Sequence, residues 1–196
     1  MANAPIDSEL LDRAIIFAVK AHSGMERRGK GYPYIVHPLE ALTIVTSLTN
    51  DQELLAAAVL HDVVEDTDCT VDQIRAEFGD RVAAIVSSES DNTLSSVSKK
   101  DSWVDRKKAA ADRLACASKD SKIVAMGDKL SNMRTIAADY EKIGDELWGR
   151  FHAPGGKKDI AWRYRLVADA LSDLRGTPPY EEFVFLIDRV FGKANE

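Results

Sequence analysis

Apolar residues recur at spacings of three and four along most of the chain, and the apolar/polar alternation typical of β-strands is nearly absent. Such spacing places apolar side chains on one face of an α-helix. In residues 8–21 it predicts an inward face of Leu10, Leu11, Ala14, Ile15, Ala18 and Val19. It predicts further helices over residues 38–48, 70–79, 80–86, 101–117, 119–140 and 157–174, one from residue 51 through positions 61 and 62, and one after residue 177. We therefore predict an all-α fold.

Local signals predict several helix ends. Asn50 or Asp51 can cap the third helix, because a side-chain oxygen at this position accepts from free backbone N–H groups. Thr70 and Gln73 have the spacing of a capping box, and Gly79 can end the short helix that follows. The serine-rich, polar residues 87–100 predict a mobile loop.

Size and composition indicate one globular domain, with 196 residues of which 45% are apolar and 30% charged. We predict a single domain over residues 1–196, without an internal repeat. No apolar run approaches the roughly 20 residues that cross a bilayer, and charged residues interrupt the N-terminus where a signal peptide would be apolar. Cys69 and Cys116 lack CxxC spacing. They indicate a reducing interior, so the cytoplasm is the expected location.

The formal net charge of -6 argues against a general affinity for nucleic acid, which needs a basic face. It does not exclude a small anionic ligand, because a metal ion and a few cations can dominate one cleft on an acidic protein. Homo-oligomerisation stays open at this point.

Four ionisable residues interrupt the apolar run AAAVLHDVVEDT: His61, Asp62, Glu65 and Asp66. On a continuous helix they would share an arc of roughly 140°. Burying such charges alone would cost several kcal/mol per ion. A bound cation, or a polyanion that carries one, is the simplest explanation.

Two further residues complete a candidate metal site. His37 directly precedes Pro38, which suits the first turn of a helix. Asp128 lies on a predicted helix whose buried stripe is Ile123, Met126, Leu130, Met133 and Ala137. Asp128 pairs at i,i+4 with Asn132, and the adjacent Gly127 permits close approach of another backbone.

Two imidazoles and two carboxylates form a mixed nitrogen and oxygen ligand set, which suits manganese or iron better than a structural zinc site. An octahedral ion with four protein ligands keeps two positions for water and substrate, and it lowers the pKa of bound water. Glu65 and Asp66 follow one turn later, where a base that orients this water would be useful.

The ordered set His37, His61-Asp62 and Asp128 resembles the HD-domain metal-dependent phosphohydrolases. The segments RRGKGYPYIVHP, AAVLHDVVEDT, FGDRV, SWVDRKK and MGDKLSNMR are similar to the hydrolase domain of the RelA/SpoT family, over about residues 22–134. The Trp162-x-Tyr164 helix is similar to the stand-alone members, the small alarmone hydrolases, and the chain leaves no room for the family's synthetase domain. The resemblance implies an HD-domain helical bundle, with helices in 145–193 packed on the core.

The resemblance also implies an activity, the removal of the 3′-pyrophosphate of ppGpp or pppGpp to give GDP or GTP, with Mn²⁺ as cofactor. His37, His61, Asp62 and Asp128 would hold the metal, and Glu65 and Asp66 would position or deprotonate the attacking water. Arg28 would lie against the guanine base, Asn132 would contact the ribose, and Arg106 or Lys107 would face phosphates.

Some positions depart from the family pattern. The loop over residues 27–32 is shorter than in some members, so Arg27 and Arg28 could exchange roles. Residues 88–92 read SESDN where the family has an apolar pair before Thr-Asp-Asp, which makes substrate preference less certain than metal binding. We assign His22 and His152 to structural roles, and we assign Trp148, Trp162 and Tyr164 to core or lid packing.

Two alternative functions stay open. One is another nucleotide phosphohydrolase on the same scaffold, such as an enzyme that removes the 2′-phosphate of NADPH. The other is a metal-holding module that binds an alarmone or a protein without turnover. Glu65 and Asp66 argue against a pure binding module, which needs no carboxylates to activate water.

Overall fold

The computed structural model describes residues 8–89 and 103–193. Within these ranges the chain is helical, with one isolated bridge between Glu26 and Pro33 and no strand, so the predicted all-α fold is confirmed. The α-helices are α1 Glu9–Ala21, α2 Val36–Thr46, α3 Gln52–Leu60, α4 Val63–Asp66, α5 Val71–Phe78, α6 Asp80–Glu89, α7 Trp103–Cys116, α8 Lys119–Ile143, α9 Lys157–Ala170 and α10 Pro178–Phe191. Two 3-10 helices lie in the connections between the last three α-helices: Gly144–Arg150 between α8 and α9, and Ser172–Leu174 between α9 and α10. None of the described helices is both long and apolar enough to span a membrane.

Helix α3 is the centre of the core. Every residue from Leu54 to Leu60 is buried, because α1, α2, α6 and α8 all pack against this helix. A helix that is apolar on all sides has this kind of central position. Asp51 caps α3, with its Oδ1 accepting from the backbone N–H of Glu53 at 3.0 Å.

Helix α8 packs against α2 and α10, and its five predicted stripe residues are all buried. The helices α2 and α8 approach closely at Gly127. A Cβ atom at this position would lie 2.7 Å from the carbonyl oxygen of Ala41 and 2.8 Å from Cγ2 of Val45. The close approach predicted for Gly127 is therefore present, and it brings the middle of α2 alongside the middle of α8.

The predicted capping box of α5 is also confirmed. Thr70 accepts from the backbone N–H of Gln73, and the Gln73 side chain accepts from the backbone N–H of Thr70. Gly79 ends α5 at a φ of +91°, a conformation that side chains other than glycine rarely adopt.

Several predicted boundaries were wrong. The third helix ends at Leu60, so His61 and Asp62 lie at a break before α4. At this break the imidazole of His61 donates a hydrogen bond to the carbonyl of Ala58. This bond satisfies one of the last carbonyl groups of α3, which have no partner within the helix. Helix α9 ends at Ala170, before the predicted residue 174.

Residues 87–89 continue α6, and the remainder of the predicted 87–100 loop lies outside the described residues. Most of the inward face predicted for α1 contacts the core, but Val19 is exposed. The reason is that α1 fully buries only the narrow stripe of Ala14 and Ala18, and Val19 lies just beyond its edge.

Candidate active site

Three separate stretches of chain bring the predicted metal ligands together. His37 lies in the first turn of α2, His61 and Asp62 lie between α3 and α4, and Asp128 lies in the middle of α8. Because α2, α3 and α8 pack against one another, these side chains converge at one point. His37, His61 and Asp128 are buried, and the Asp62 side chain is 17% exposed.

The distances fit a single small cation. One ligand atom each of His37, His61 and Asp128 lies within 4.8 Å of the others. Nε2 of His37 is 3.2 Å from Oδ1 of Asp128 and 3.4 Å from Oδ2 of Asp62. Nε2 of His61 is 3.0 Å from Oδ2 of Asp62 and 3.7 Å from Oδ1 of Asp128. We refer to His37, His61, Asp62 and Asp128 as the metal cluster.

The hydrogen bonding of His61 supports a metal at this point. Its Nδ1 lies 2.7 Å from the carbonyl oxygen of Ala58, which can only accept, so Nδ1 carries the hydrogen. Nε2 is buried and has no hydrogen-bond partner among the described residues. A buried nitrogen lone pair that faces two carboxylates without a hydrogen bond suits a cation between them.

The pKa values of the metal cluster reflect the same demand for positive charge. Burial lowers the pKa of His61, but Asp62 and Asp128 outweigh it and raise the pKa well above its ordinary value. Burial likewise opposes ionisation of Asp62, yet the neighbouring imidazoles of His61 and His37 lower the pKa of this carboxyl group. The pKa of Asp128 is also lowered, because Lys129 and the two histidines outweigh the effect of burial. The cluster therefore favours a proton on His61 or a cation bound among the four side chains.

Sequence analysis missed two residues that contact these carboxylates. The hydroxyl of Tyr34 donates to Oδ2 of Asp62 at 2.5 Å, and burial beside Asp62 raises the pKa of Tyr34 so that it remains a donor. Lys129 forms an ion pair with Asp128 and lies 3.6 Å from Glu89. Tyr34 belongs to the PYIVHP segment, and its position one turn before His37 was the available signal.

The metal cluster lies at the inner end of a cleft of about 710 Å³. This volume is within the usual range for small-molecule sites. Glu65 and Asp66 are exposed residues in its wall, one turn after Asp62. The wall also contains the cationic residues Arg27, Lys107, Arg113, Lys129 and Arg163.

The predicted substrate-binding residues divide into two groups. Asn132 and Lys107 line the cleft, whereas Arg28 and Arg106 are not among its wall residues. Asn132 also donates to Asp128, so the predicted i,i+4 pair is formed. Arg28 is exposed to solvent.

Of the two adjacent arginines that could exchange roles, Arg27 lines the cleft. Its Nη2 donates to Oδ1 of Asn132 at 2.5 Å, and its guanidinium carbon lies 5.4 Å from the centre of the Tyr34 ring. The chain reverses within residues 27–32, where the backbone N–H of Arg27 donates to the carbonyl of Tyr32. This reversal decides which arginine faces inward, and two adjacent arginines give no periodicity from which to predict it. Arg163 of α9 was also missed.

The aromatic residues assigned to packing do pack. Trp148 is buried among Tyr140, Phe151 and Phe191, and Tyr164 is buried beside Phe183. Trp162 lies 6.4 Å from the ring of Trp103. His22 is buried against the Tyr34 ring, with 4.9 Å between the two ring centres.

Comparison with known proteins identifies the family of this chain. The HD domain family matches residues 14–148, and the chain belongs to this family. The resemblance to its RelA/SpoT-type members is confirmed by the relatives and by the solved structures.

The chain is 32% identical over 169 residues to a probable guanosine-3′,5′-bis(diphosphate) 3′-pyrophosphohydrolase of Synechocystis sp., covering 83% of this chain and 22% of that protein. It is 30% identical over 195 residues to the GTP pyrophosphokinase rsh of Brucella ovis, covering 86% of this chain and 25% of that protein. The chain thus spans about a quarter of the length of these relatives.

A solved structure of similar size is described as a metazoan ortholog of SpoT that hydrolyses ppGpp. It matches with a TM-score of 0.72 and 25% sequence identity, covering 96% of this chain and 97% of that chain.

Proposed function

We propose that this protein is a metal-dependent hydrolase that removes the 3′-pyrophosphate of ppGpp or pppGpp. Water and ppGpp would give GDP and pyrophosphate, and water and pppGpp would give GTP and pyrophosphate. The observation that carries the proposal is the metal cluster at the inner end of a cleft whose wall holds both carboxylates and cations. The relatives from Synechocystis and the metazoan ortholog of SpoT support this substrate class.

The metal would be held by His37, His61, Asp62 and Asp128. The mixed imidazole and carboxylate set suits manganese or iron, and of the two the resemblance to the RelA/SpoT-type hydrolases favours Mn²⁺. A bound divalent ion of this kind lowers the pKa of water and neutralises charge that develops on a phosphoryl group. Burial of His37, His61 and Asp128 keeps water from competing with the ligand atoms.

Glu65 and Asp66 would position the attacking water and accept its proton. Both side chains are exposed in the cleft wall, and the backbone N–H of Asp66 donates to the carbonyl of Asp62 at 2.9 Å. An ionised carboxylate only accepts hydrogen bonds, so it can hold a water through its hydrogens and direct the oxygen lone pair at phosphorus.

The cations of the outer cleft would bind the nucleotide. Arg27, rather than Arg28, would stack on the guanine base through its planar guanidinium group. Asn132 would contact the ribose, and Lys107, with Arg106 from the same helix, would face phosphates. Arg163 lies in the same wall and would add a further phosphate contact.

The proposal treats residues 1–196 as one HD hydrolase domain with its core motifs in 22–134. The contacts of α10 with α8 and α9, and of α9 with α7, support packing of the 145–193 helices on this core.

The test is incubation of purified protein with ppGpp and Mn²⁺, followed by chromatography of the nucleotides and separate assays for pyrophosphate and phosphate. We expect equal amounts of GDP and pyrophosphate, and no turnover after metal is removed with a chelator. NADPH serves in a parallel reaction. Phosphate and NADH as the only products would instead identify a 2′-phosphatase, and nucleotide binding without any product would identify a binding module.

A further inference from the structure

The two histidines of the metal cluster are oriented by different kinds of partner. Nδ1 of His61 faces the backbone carbonyl of Ala58 in the last turn of α3. Nδ1 of His37 lies 2.8 Å from the hydroxyl oxygen of Ser131, a side chain of α8 that is 1% exposed. A backbone carbonyl can only accept a hydrogen bond, but a serine hydroxyl can donate or accept. The tautomer of His37 therefore depends on what else Ser131 contacts.

A carboxylate sets the direction of this hydrogen bond. The Ser131 hydroxyl lies 2.7 Å from Oε2 of Glu40, which only accepts when ionised. Ser131 has a single hydrogen and donates it to Glu40, so its remaining lone pair accepts from Nδ1–H of His37. Nε2 of His37 is then left without hydrogen, facing Asp62 and Asp128.

An ion-pair clamp fixes Glu40 in turn. Nη1 of Arg134 lies 3.2 Å from Oε1 of Glu40. The Nε and Nη2 atoms of Arg134 each donate at 2.7 Å to a different oxygen of Glu182 on α10. A bidentate arginine–carboxylate pair is geometrically specific, so it holds the guanidinium of Arg134 in one orientation.

We infer that Glu40 and Ser131 are positioning residues that set the tautomer of His37, and that Arg134 and Glu182 couple helix α10 to this metal ligand. We call the connected side chains Glu182, Arg134, Glu40, Ser131 and His37 the His37 relay. The inference rests on the proposed metal site. It goes beyond that proposal by assigning roles in metal affinity to residues outside the cleft.

The relay makes a specific prediction about Glu40→Gln. The glutamine amide can donate to Ser131, which would turn the serine hydroxyl toward Nδ1 of His37 and move the imidazole hydrogen to Nε2. Ser131→Ala removes the acceptor for Nδ1–H and should shift the hydrogen in the same direction. Glu182→Gln weakens the clamp but leaves the carboxylate of Glu40 in place, so its effect should be smaller. His61 should keep its tautomer in all three variants.

The experiment has two readouts that do not depend on turnover. Nitrogen-15 NMR of the metal-free protein, recorded over a range of pH, reports which ring nitrogen of His37 carries the hydrogen. Calorimetric titration with Mn²⁺ alone reports metal affinity. We expect Glu40→Gln and Ser131→Ala to weaken Mn²⁺ binding roughly 10–100-fold, the usual cost of losing a residue that orients a metal ligand, and Glu182→Gln to weaken it a few-fold.

The matched control is Glu141→Gln, which breaks the Arg189–Glu141 ion pair between the same two helices, α8 and α10, without touching the relay. It should leave both readouts unchanged. Glu40 is half-buried and glutamine has the same shape, so the Glu40→Gln variant should fold. The inference is overturned if this variant keeps the His37 hydrogen on Nδ1 and changes Mn²⁺ affinity less than twofold. If the parent protein itself binds no Mn²⁺, the proposed function fails instead, while the NMR result still decides the tautomer of His37.

Discussion

The inner and outer ends of the cleft are built in different ways. At the inner end, three buried residues from α2, the break after α3, and α8 converge with Asp62, and hydrogen bonds fix the orientation of both histidines. At the outer end, the cations Arg27, Lys107 and Arg163 reach the cleft from a loop, α7 and α9. Burying unpaired charge is costly, whereas a cation that keeps part of its surface in water, as Arg27, Lys107 and Arg163 do, is tolerated more widely. The inner end is therefore tied to one arrangement, and the outer end can vary with substrate.

The largest effect should come from the inner end. Asp62→Asn removes a charged ligand but retains an acceptor for the hydroxyl of Tyr34, so the fold should persist. We expect turnover of ppGpp to fall on the order of 10³-fold, since metal stabilisation of phosphoryl charge is worth several kcal/mol. Asp68→Asn, a change in an exposed acid six residues later, is the control. Equal turnover in the two variants would contradict the assignment of Asp62.

A second prediction concerns Glu65 and Asp66, the two exposed acids of the cleft wall. Glu65→Gln and Asp66→Asn should each lower kcat by about 10²-fold or more, the usual contribution of general acid–base groups. Nucleotide affinity, measured by equilibrium binding, should stay close to that of the parent. A binding module would instead show no turnover in the parent protein, so neither substitution could lower kcat.

The close contact between α2 and α8 supports the inner end and can be tested through stability. Gly127→Ala places a Cβ within 3 Å of Ala41 and Val45, and it should lower the free energy of unfolding by about 1–3 kcal/mol. Gly149→Ala is the matched control, because nothing lies within 4 Å of its added Cβ. Thermal unfolding of both variants measures the difference, and equal midpoints would show that the helices do not meet as described.

The inner end should also respond to pH, through His61. Below the raised pKa of His61, Mn²⁺ must displace a proton, so its apparent affinity should fall by about tenfold for each pH unit lowered. Above that pKa the slope should disappear. Calorimetric titrations with Mn²⁺ across pH measure the slope, and a pH-independent affinity would argue against His61 as a ligand.

The smallest effect sharpens the description of the outer end. Arg27→Ala should raise KM roughly 5–30-fold with little change in kcat, as expected for about 1–2 kcal/mol of stacking energy present in both the ground and transition states. Arg28→Ala should leave KM within about twofold of the parent. The reverse ranking would restore the original assignment of Arg28.

This contrast also explains what could be predicted from the sequence. His37, His61, Asp62 and Asp128 were predictable because ionisable groups in apolar segments need a physical reason, and helical periodicity brings them to one core. Which of Arg27 and Arg28 lines the cleft was not predictable, because it depends on how an irregular loop reverses. The His37 relay was not predictable either. Glu40 and Ser131 lie on different helices, α2 and α8, and the sequence does not show that these two side chains meet.

The most direct test of the account is the position of Mn²⁺ itself. Crystals of the protein grown with Mn²⁺ and measured near the manganese absorption edge should show one strong anomalous peak, coordinated by Nε2 of His37, Nε2 of His61 and the carboxylates of Asp62 and Asp128. A peak bound by other residues, or no peak among these four side chains at saturating Mn²⁺, would contradict the central claim.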